Sequence, residues 1–277
     1  SVSKAEYSYI INSVDYNIPA VINKLVEDDI LVSAAFKPFK INTSQGLKSF
    51  DFGSLIIPVS LQKINSDNLY EILQKIQQKF NVDIFSVSSG LSSEGIDLGS
   101  RYVVPIKKQK TMMIIGTGVR SYEAGEVWHL LDQRVGMPIS KIPVRNFDRV
   151  NLDDYSTMVI VSGNYNFNES QISKIKNWAT RGNTIVSIGS GSKFLIDSNI
   201  VDEELYEHEK SDNENKFKPY IDAQDNRGKE QIGGIILNAQ IDMSHPLSFG
   251  YEDPVVPVYK NNTVWRSEEH TSELQSP

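Results

Sequence analysis

The sequence predicts an α/β fold: a small N-terminal α/β lobe followed by a doubly wound parallel sheet. Three observations carry this. Short apolar runs alternate with segments of helical periodicity, which is the rhythm of strand, helix and strand with right-handed crossovers. Several runs exit into glycine and serine, as parallel strands do before a helix. The 277 residues lie near the upper size of one domain or make two modest ones, and two are favoured.

In the first part, residues 7–11 are strand-like. Ile18, Val21, Ile22, Leu25 and Val26 form a helical stripe over 18–26, with Pro19 tolerated in the first turn. Residues 30–36 return as a β-branched strand. The run 55–59 is broken by Pro58, which places it at a sheet edge or ends it. The clearest helix follows, with Ser66 as its cap and Leu69, Ile72, Leu73, Ile76 and Phe80 on one face. It feeds a strand over 82–87.

The glycine- and serine-rich stretch 88–101 reads as a loop or linker, and the lysines at 107, 108 and 110 as a solvated junction. The expected domains are therefore 1–108 and 109–265, with a separate tail at 266–277. The second domain opens with a buried-type strand over 111–115. A helix capped by Ser121 should run to about Arg134, burying Ala124, Val127, Trp128 and Leu131. Further strands are expected over 139–144, 157–161 and 184–188. Asn168 caps a helix that turns Ile172, Ile175, Trp178 and Ala179 inward. Residues 202–230 are charged and read as a surface excursion, with late strands at 235–237 and 255–259. No solenoid or propeller repeat is present.

The formal charge is −7, and −5 without Arg266, Glu268, Glu269 and Glu273 of the tail. No basic patch points to nucleic acid. No apolar run reaches the roughly 20 residues that span a bilayer, and the N-terminal stretch lacks the pattern of a signal peptide. The absence of cysteine excludes disulfides, thiolate metal sites and a cysteine nucleophile.

In open α/β sheets ligands bind beyond the carboxyl ends of the strands, at the switch point. The candidate ligand-binding residues are accordingly Gly116, Gly118, Arg120, Ser121, Gly163 and Ser190. Backbone N–H groups after Gly116 and the charge of Arg120 suit an anion, although the loop is neither a full dinucleotide fingerprint nor a phosphate loop. The competing reading is a glycine turn needed only for its geometry. No residue is assigned as catalytic or as a metal ligand. His129 with Asp132 offers too few ligands for zinc and reads as a partly buried helical pair. His208 reads as solvated, and His245 as a turn histidine bonded locally. The pairs Asp153–Asp154 and Glu203–Glu204 read as turn and surface carboxylates, Asp97 as a residue ordering its loop, and Trp128 and Trp178 as core anchors. The one His-x-x-Glu, His270 with Glu273, lies in the tail.

The run GTGVRSYEAGEVWHLLDQRVGMP from Gly116 to Pro138, with KPF at Lys37, GIDLGSR at Gly95, the HPL turn at His245 and IGG at Ile232, resembles large secreted zinc carboxypeptidases of the M14 type from Bacteroidetes-like bacteria. The resemblance covers most of residues 7–265 and lies downstream of the peptidase domain in those proteins. It implies a flavodoxin-like, class I glutamine amidotransferase-like second domain, and a secreted or periplasmic parent that binds zinc through an upstream His-x-x-Glu and a later histidine. No cofactor is expected in this chain. The implied partners are the upstream peptidase domain and a peptide substrate, with no nucleic acid and no membrane span in this piece. In the amidotransferases a strand ends in an elbow G-x-C-x-G; SIGSG at Ser187 places Gly189 at the cysteine, so the nucleophile is absent. The expected function is that of a noncatalytic accessory region. The alternatives are a stand-alone small-molecule-binding module or a serine hydrolase using Ser190, although Ile188 and Ser192 depart from the G-x-S-x-G elbow. The tail RSEEHTSELQSP resembles the translation of a sequencing adapter and is expected not to pack.

Overall fold

The computed structural model describes residues 2–205, 221, 234–260 and 265–266. The chain divides into two compact units. The first comprises Ser1–Lys110, Gly125–Ile139 and Gln240–Pro254; the second comprises Thr111–Ala124, Ser140–Ala239 and Val255–Pro277.

The first unit is built on β1 (Ser8–Ile11), α1 (Ile18–Glu27), β2 (Ser33–Ala35), the hairpin β3 (Phe39–Thr43) and β4 (Gly46–Phe50), β5 (Leu55–Pro58), α2 (Ser66–Phe80), β6 (Ile84–Val87), β7 (Glu94–Gly95) and β8 (Val103–Pro105). Its main sheet has the order β6-β1-β5-β2-β8 with antiparallel pairs throughout. α1 joins β1 to β2 across β5, and α2 joins β5 to β6 across β1. This is a split β-α-β arrangement of the β-α-β-β-α-β kind, with the β3–β4 hairpin inserted between its second and third strands.

Side chains alternate across a strand, and that alternation divides the core in two. Tyr9, Ile11, Leu55, Ile57 and Ile84 pack with Val21 and Leu25 of α1 and Leu69, Leu73 and Ile76 of α2. From the same strands, Ile10, Ile56 and Phe85 pack with Phe39 and Ile41 of β3 and Phe50 of β4. A sheet covered on both faces explains why consecutive apolar residues, Tyr9, Ile10 and Ile11 in β1 and Leu55, Ile56 and Ile57 in β5, are all buried.

Several expectations for this unit are corrected. The cap of α2 is Asn65, whose side chain accepts the Asn68 N–H, and Ser66 is the first helical residue. An amide oxygen can cap as well as a hydroxyl, and the cap lies one residue earlier than expected. Pro58 ends its strand, but β5 lies inside the sheet, not at its edge. Residues 88–101 are no free linker: β7 pairs with β3, Leu98 is buried, and the Asp97 carboxylate accepts the Ser92 N–H at 2.8 Å. Lys107, Lys108 and Lys110 are exposed.

The second unit contains β9 (Thr111–Ile115), β10 (Ile139–Pro143), β11 (Thr157–Ile160) and β12 (Thr184–Ser187) in the order β10-β9-β11-β12. Numbered along the chain, this is 2-1-3-4, as in the flavodoxin-like doubly wound sheet, and β9–β11 and β11–β12 are parallel. α3 (Ser121–Trp128) follows β9, α4 (Glu169–Ala179) follows β11 and α5 (Ser190–Asp197) follows β12. Asn168 caps α4 in a reciprocal capping box with Gln171, which satisfies two otherwise orphaned amides. The core gathers Met112, Ile114, Met158, Ile160, Ile175 and Trp178.

The helix expected to reach Arg134 is α-helical only to Trp128; residues His129–Arg134 form a π-helical turn, a rare feature. Of its four expected core residues only Ala124 is buried; Val127, Trp128 and Leu131 are half-buried, and His129 is exposed. β12 is parallel but lies at the edge, leaving Val186 and Ile188 exposed. Two short pairings complete the described chain: β13 (Glu204–Leu205) with β16 (Trp265–Arg266), and β14 (Ile235–Gln240) with β15 (Val255–Lys260). Arg266, the first residue of the tail, thus pairs with Glu204. The rest of the tail, His208, Ile232 and most of the charged excursion lie outside the described residues.

Candidate functional site

The carboxyl ends of β9 and β11 are neighbours at the point where the strand order reverses, so the loops that leave them meet. Arg120 N–H donates to Ser162 O at 2.9 Å, and Asn164 N–H donates to Gly118 O at 2.9 Å. Val119 and Gly163 form an isolated antiparallel bridge. The turn after β12 joins them: Ser190 N–H donates to Ser162 Oγ at 3.0 Å, and Gly163 N–H donates to Ser190 Oγ at 3.1 Å. Gly118, Arg120, Gly163 and Ser190 are therefore brought together through their backbones and the Ser190 hydroxyl. Ser121 is exposed at the start of α3, and no bond from its hydroxyl joins this network. Gly116 N–H is not part of it either; Gly116 O accepts the Val119 N–H.

Two residues outside the expected set organise the site. Ser162, 5% exposed, gives its N–H to Glu123 Oε2 at 2.9 Å. Glu123 reaches from the first turn of α3, and its other oxygen lies 3.8 Å from the Arg120 guanidinium. Ser162 stands in no recognisable motif, and Glu123 lies within the Gly116–Pro138 run without a role assigned to it there. The signal available in the sequence was only a glutamate three residues beyond Arg120, a spacing that puts the two on one helical face.

The turn into α5 is a sharp strand-to-helix elbow. Gly189 adopts φ 57°, ψ −130°, a region essentially reserved for glycine. A Cβ added there would overlap Ser162 Oγ and come within 3.8 Å of Glu123 Oε2. Two residues on, a Cβ at Gly191 would lie 2.5 Å from Ile160 O and 2.7 Å from Val161 O. That close approach packs α5 directly on the end of β11. The elbow is thus a sharp strand-to-helix turn with no side chain at its apex.

Beneath the loops, Tyr165 donates its hydroxyl to Val161 O at 2.7 Å. Burial, and then the charge of Glu123, hold its ionisation well above the ordinary tyrosine range. The unfolded chain releases this proton near pH ~10, whereas the folded chain keeps it, so the contribution is whole below that pH and is lost as pH rises further. Denaturant unfolding followed through alkaline pH should show stability falling above about pH 10, with a shallower fall in Tyr165→Phe. An unchanged slope would remove Tyr165 from this role.

The remaining residues singled out from the sequence lie elsewhere. His245 accepts the Leu247 N–H through Nδ1 at 3.2 Å and caps a short 3₁₀ turn. Asp153 pairs with Arg181 on the surface. Trp178 is fully buried and Trp128 only half-buried. Among the described residues, no group of three or more histidine, aspartate and glutamate side chains is placed to hold a metal ion. The first unit has a largely apolar cleft of about 630 Å³ beside Tyr16, Ile22, Phe249 and Tyr251, which the sequence did not foreshadow.

No family model matches the chain, and neither a curated protein nor a solved structure matches it.

Proposed function

We propose that this chain is a noncatalytic accessory region of a secreted, zinc-carboxypeptidase-like protein whose peptidase domain lies upstream in the same polypeptide. The observation that carries the noncatalytic part is the elbow at Gly189. The position that the amidotransferase resemblance gives to the nucleophile holds glycine, and the Ser162 hydroxyl fills the space that a side chain would need. Attribution to a peptidase parent rests on the sequence blocks at Lys37, Gly95, Ser121 and Gly136. In this reading the zinc belongs to the missing domain, and the present chain packs on that domain or holds its peptide substrate.

Hydrolysis through Ser190 is the weaker reading. Its hydroxyl accepts the Gly163 N–H, and no described histidine is hydrogen-bonded to it, whereas an activated serine needs a base within reach. The test is to expose the purified chain to a serine-directed fluorophosphonate, to glutamine and to peptides with free C-termini. The expected result is no adduct, no ammonia and no shortened peptide. A covalent adduct on Ser190 that disappears in Ser190→Ala would overturn the proposal.

A further inference from the structure

We infer that the strand-end site of the second unit is a carboxylate seat already filled by the chain's own Glu123, so that the protein is closed to small anions until that side chain is removed. The seat lies at the β9/β11 switch point, where ligands of open α/β sheets bind. Its one hydrogen-bond donor to the carboxylate is the Ser162 N–H, 2.9 Å from Glu123 Oε2; the exposed Arg120 guanidinium, 3.8 Å from Oε1, adds charge and no hydrogen bond. A backbone N–H on one oxygen with a cation near the other suits a carboxylate or a similar oxyanion.

The occupant stands where a ligand would meet the elbow. Glu123 Oε2 is 3.8 Å from the point at which a Gly189 Cβ would lie, in ordinary van der Waals contact with the apex of the elbow. The neighbouring donors are turned inward. Ser190 N–H and Gly163 N–H are bonded to Ser162 Oγ and Ser190 Oγ, and Arg120 N–H to Ser162 O. Glu123 satisfies the remaining Ser162 amide, which would otherwise be an unpaired donor in a residue 5% exposed, a costly state. The ionisable groups facing Glu123 are Arg120 and Tyr165. This inference does not depend on the peptidase reading.

The experiment is chemical rescue in Glu123→Ala, with formate as the carboxylate and chloride at equal ionic strength as control. The expected result is a lower Tm in the variant, restored by formate by about 3–6 °C at roughly ten times its Kd, with no such rise in the wild type. Formate should also shift the amide resonances of Ser162 and Arg120 in the variant alone. Equal responses to formate and chloride, or equal responses of wild type and variant, would overturn the inference. Should Glu123→Ala not fold, Glu123→Ser decides: formate should shift the Ser162 amide resonance there and not in the wild type, and equal shifts in the two would likewise overturn the inference.

Discussion

Trp178→Ala is expected to destabilise the second unit by about 3–5 kcal/mol, the range for emptying a large aromatic site in a packed core. The indole is fully buried and packs in the cluster with Met112, Met158, Ile160 and Ile175. Its Nε1–H donates to Tyr155 O at 3.2 Å, so truncation also strands a backbone carbonyl. Trp128→Ala should cost much less, since that ring is half-buried. With two compact units, unfolding need not be two-state, and the loss should be read from a probe in the second unit. A Trp178→Ala shift no larger than that of Trp128→Ala would contradict this account of the core.

Gly189→Ala should destabilise by about 1–3 kcal/mol through backbone strain alone, since φ is 57° and ψ −130°. The steric overlap with Ser162 Oγ adds to it. That second part can be isolated. In Ser162→Ala the overlapping oxygen is gone, and the neighbours that remain, Ser162 Cβ at 3.5 Å and Glu123 Oε2 at 3.8 Å from the new atom, are at ordinary contact distance. The double variant should therefore be more stable than the sum of the single losses by about 0.5–3 kcal/mol, a coupling typical of residues in contact. The same reasoning predicts that Gly189→Cys does not by itself recreate a nucleophile site. Strict additivity in the cycle, measured by denaturant titration, would show that Ser162 does not fill the apex of the elbow.

Much of the second unit was legible because its strands are short apolar runs that end in glycine or serine. Its helix α4 announces itself through Asn168, Gln171 and the stripe Ile172, Ile175, Trp178. In the first unit α1 and α2 were equally plain, but the β3–β4 hairpin was missed. Phe39 on one strand stacks on Phe50 of the other, Ile41 lies opposite Lys48, and the turn between them is Ser44–Gln45; neither segment is apolar for long enough to stand out from its polar neighbours. Of the two readings of 88–101, a loop or a linker, the loop is what forms, ordered by Asp97 as expected; glycine and serine speak only for local turns and could not tell the two apart. What ties it down is the burial of Leu98 and the pairing of Glu94 and Gly95 with β3, both contacts distant in sequence.

The strand-end loops were placed correctly by the general rule for α/β sheets, but not what fills them. Ser162 and Glu123 are 39 residues apart, and no spacing rule joins a strand-end serine to a glutamate in the first turn of an earlier helix. The π-helical turn at His129–Arg134 was also invisible, because its residues carry an ordinary helical pattern. Such departures depend on what the turn packs against.

The most direct test of the accessory role is to sequence the source locus outward through both ends of this chain. The account predicts an open reading frame that continues upstream into a domain carrying a His-x-x-Glu pair and a later histidine, the ligand set of a catalytic zinc site. A start codon immediately before Ser1, with no such domain in frame, would contradict it and leave the second unit to be explained as a protein in its own right.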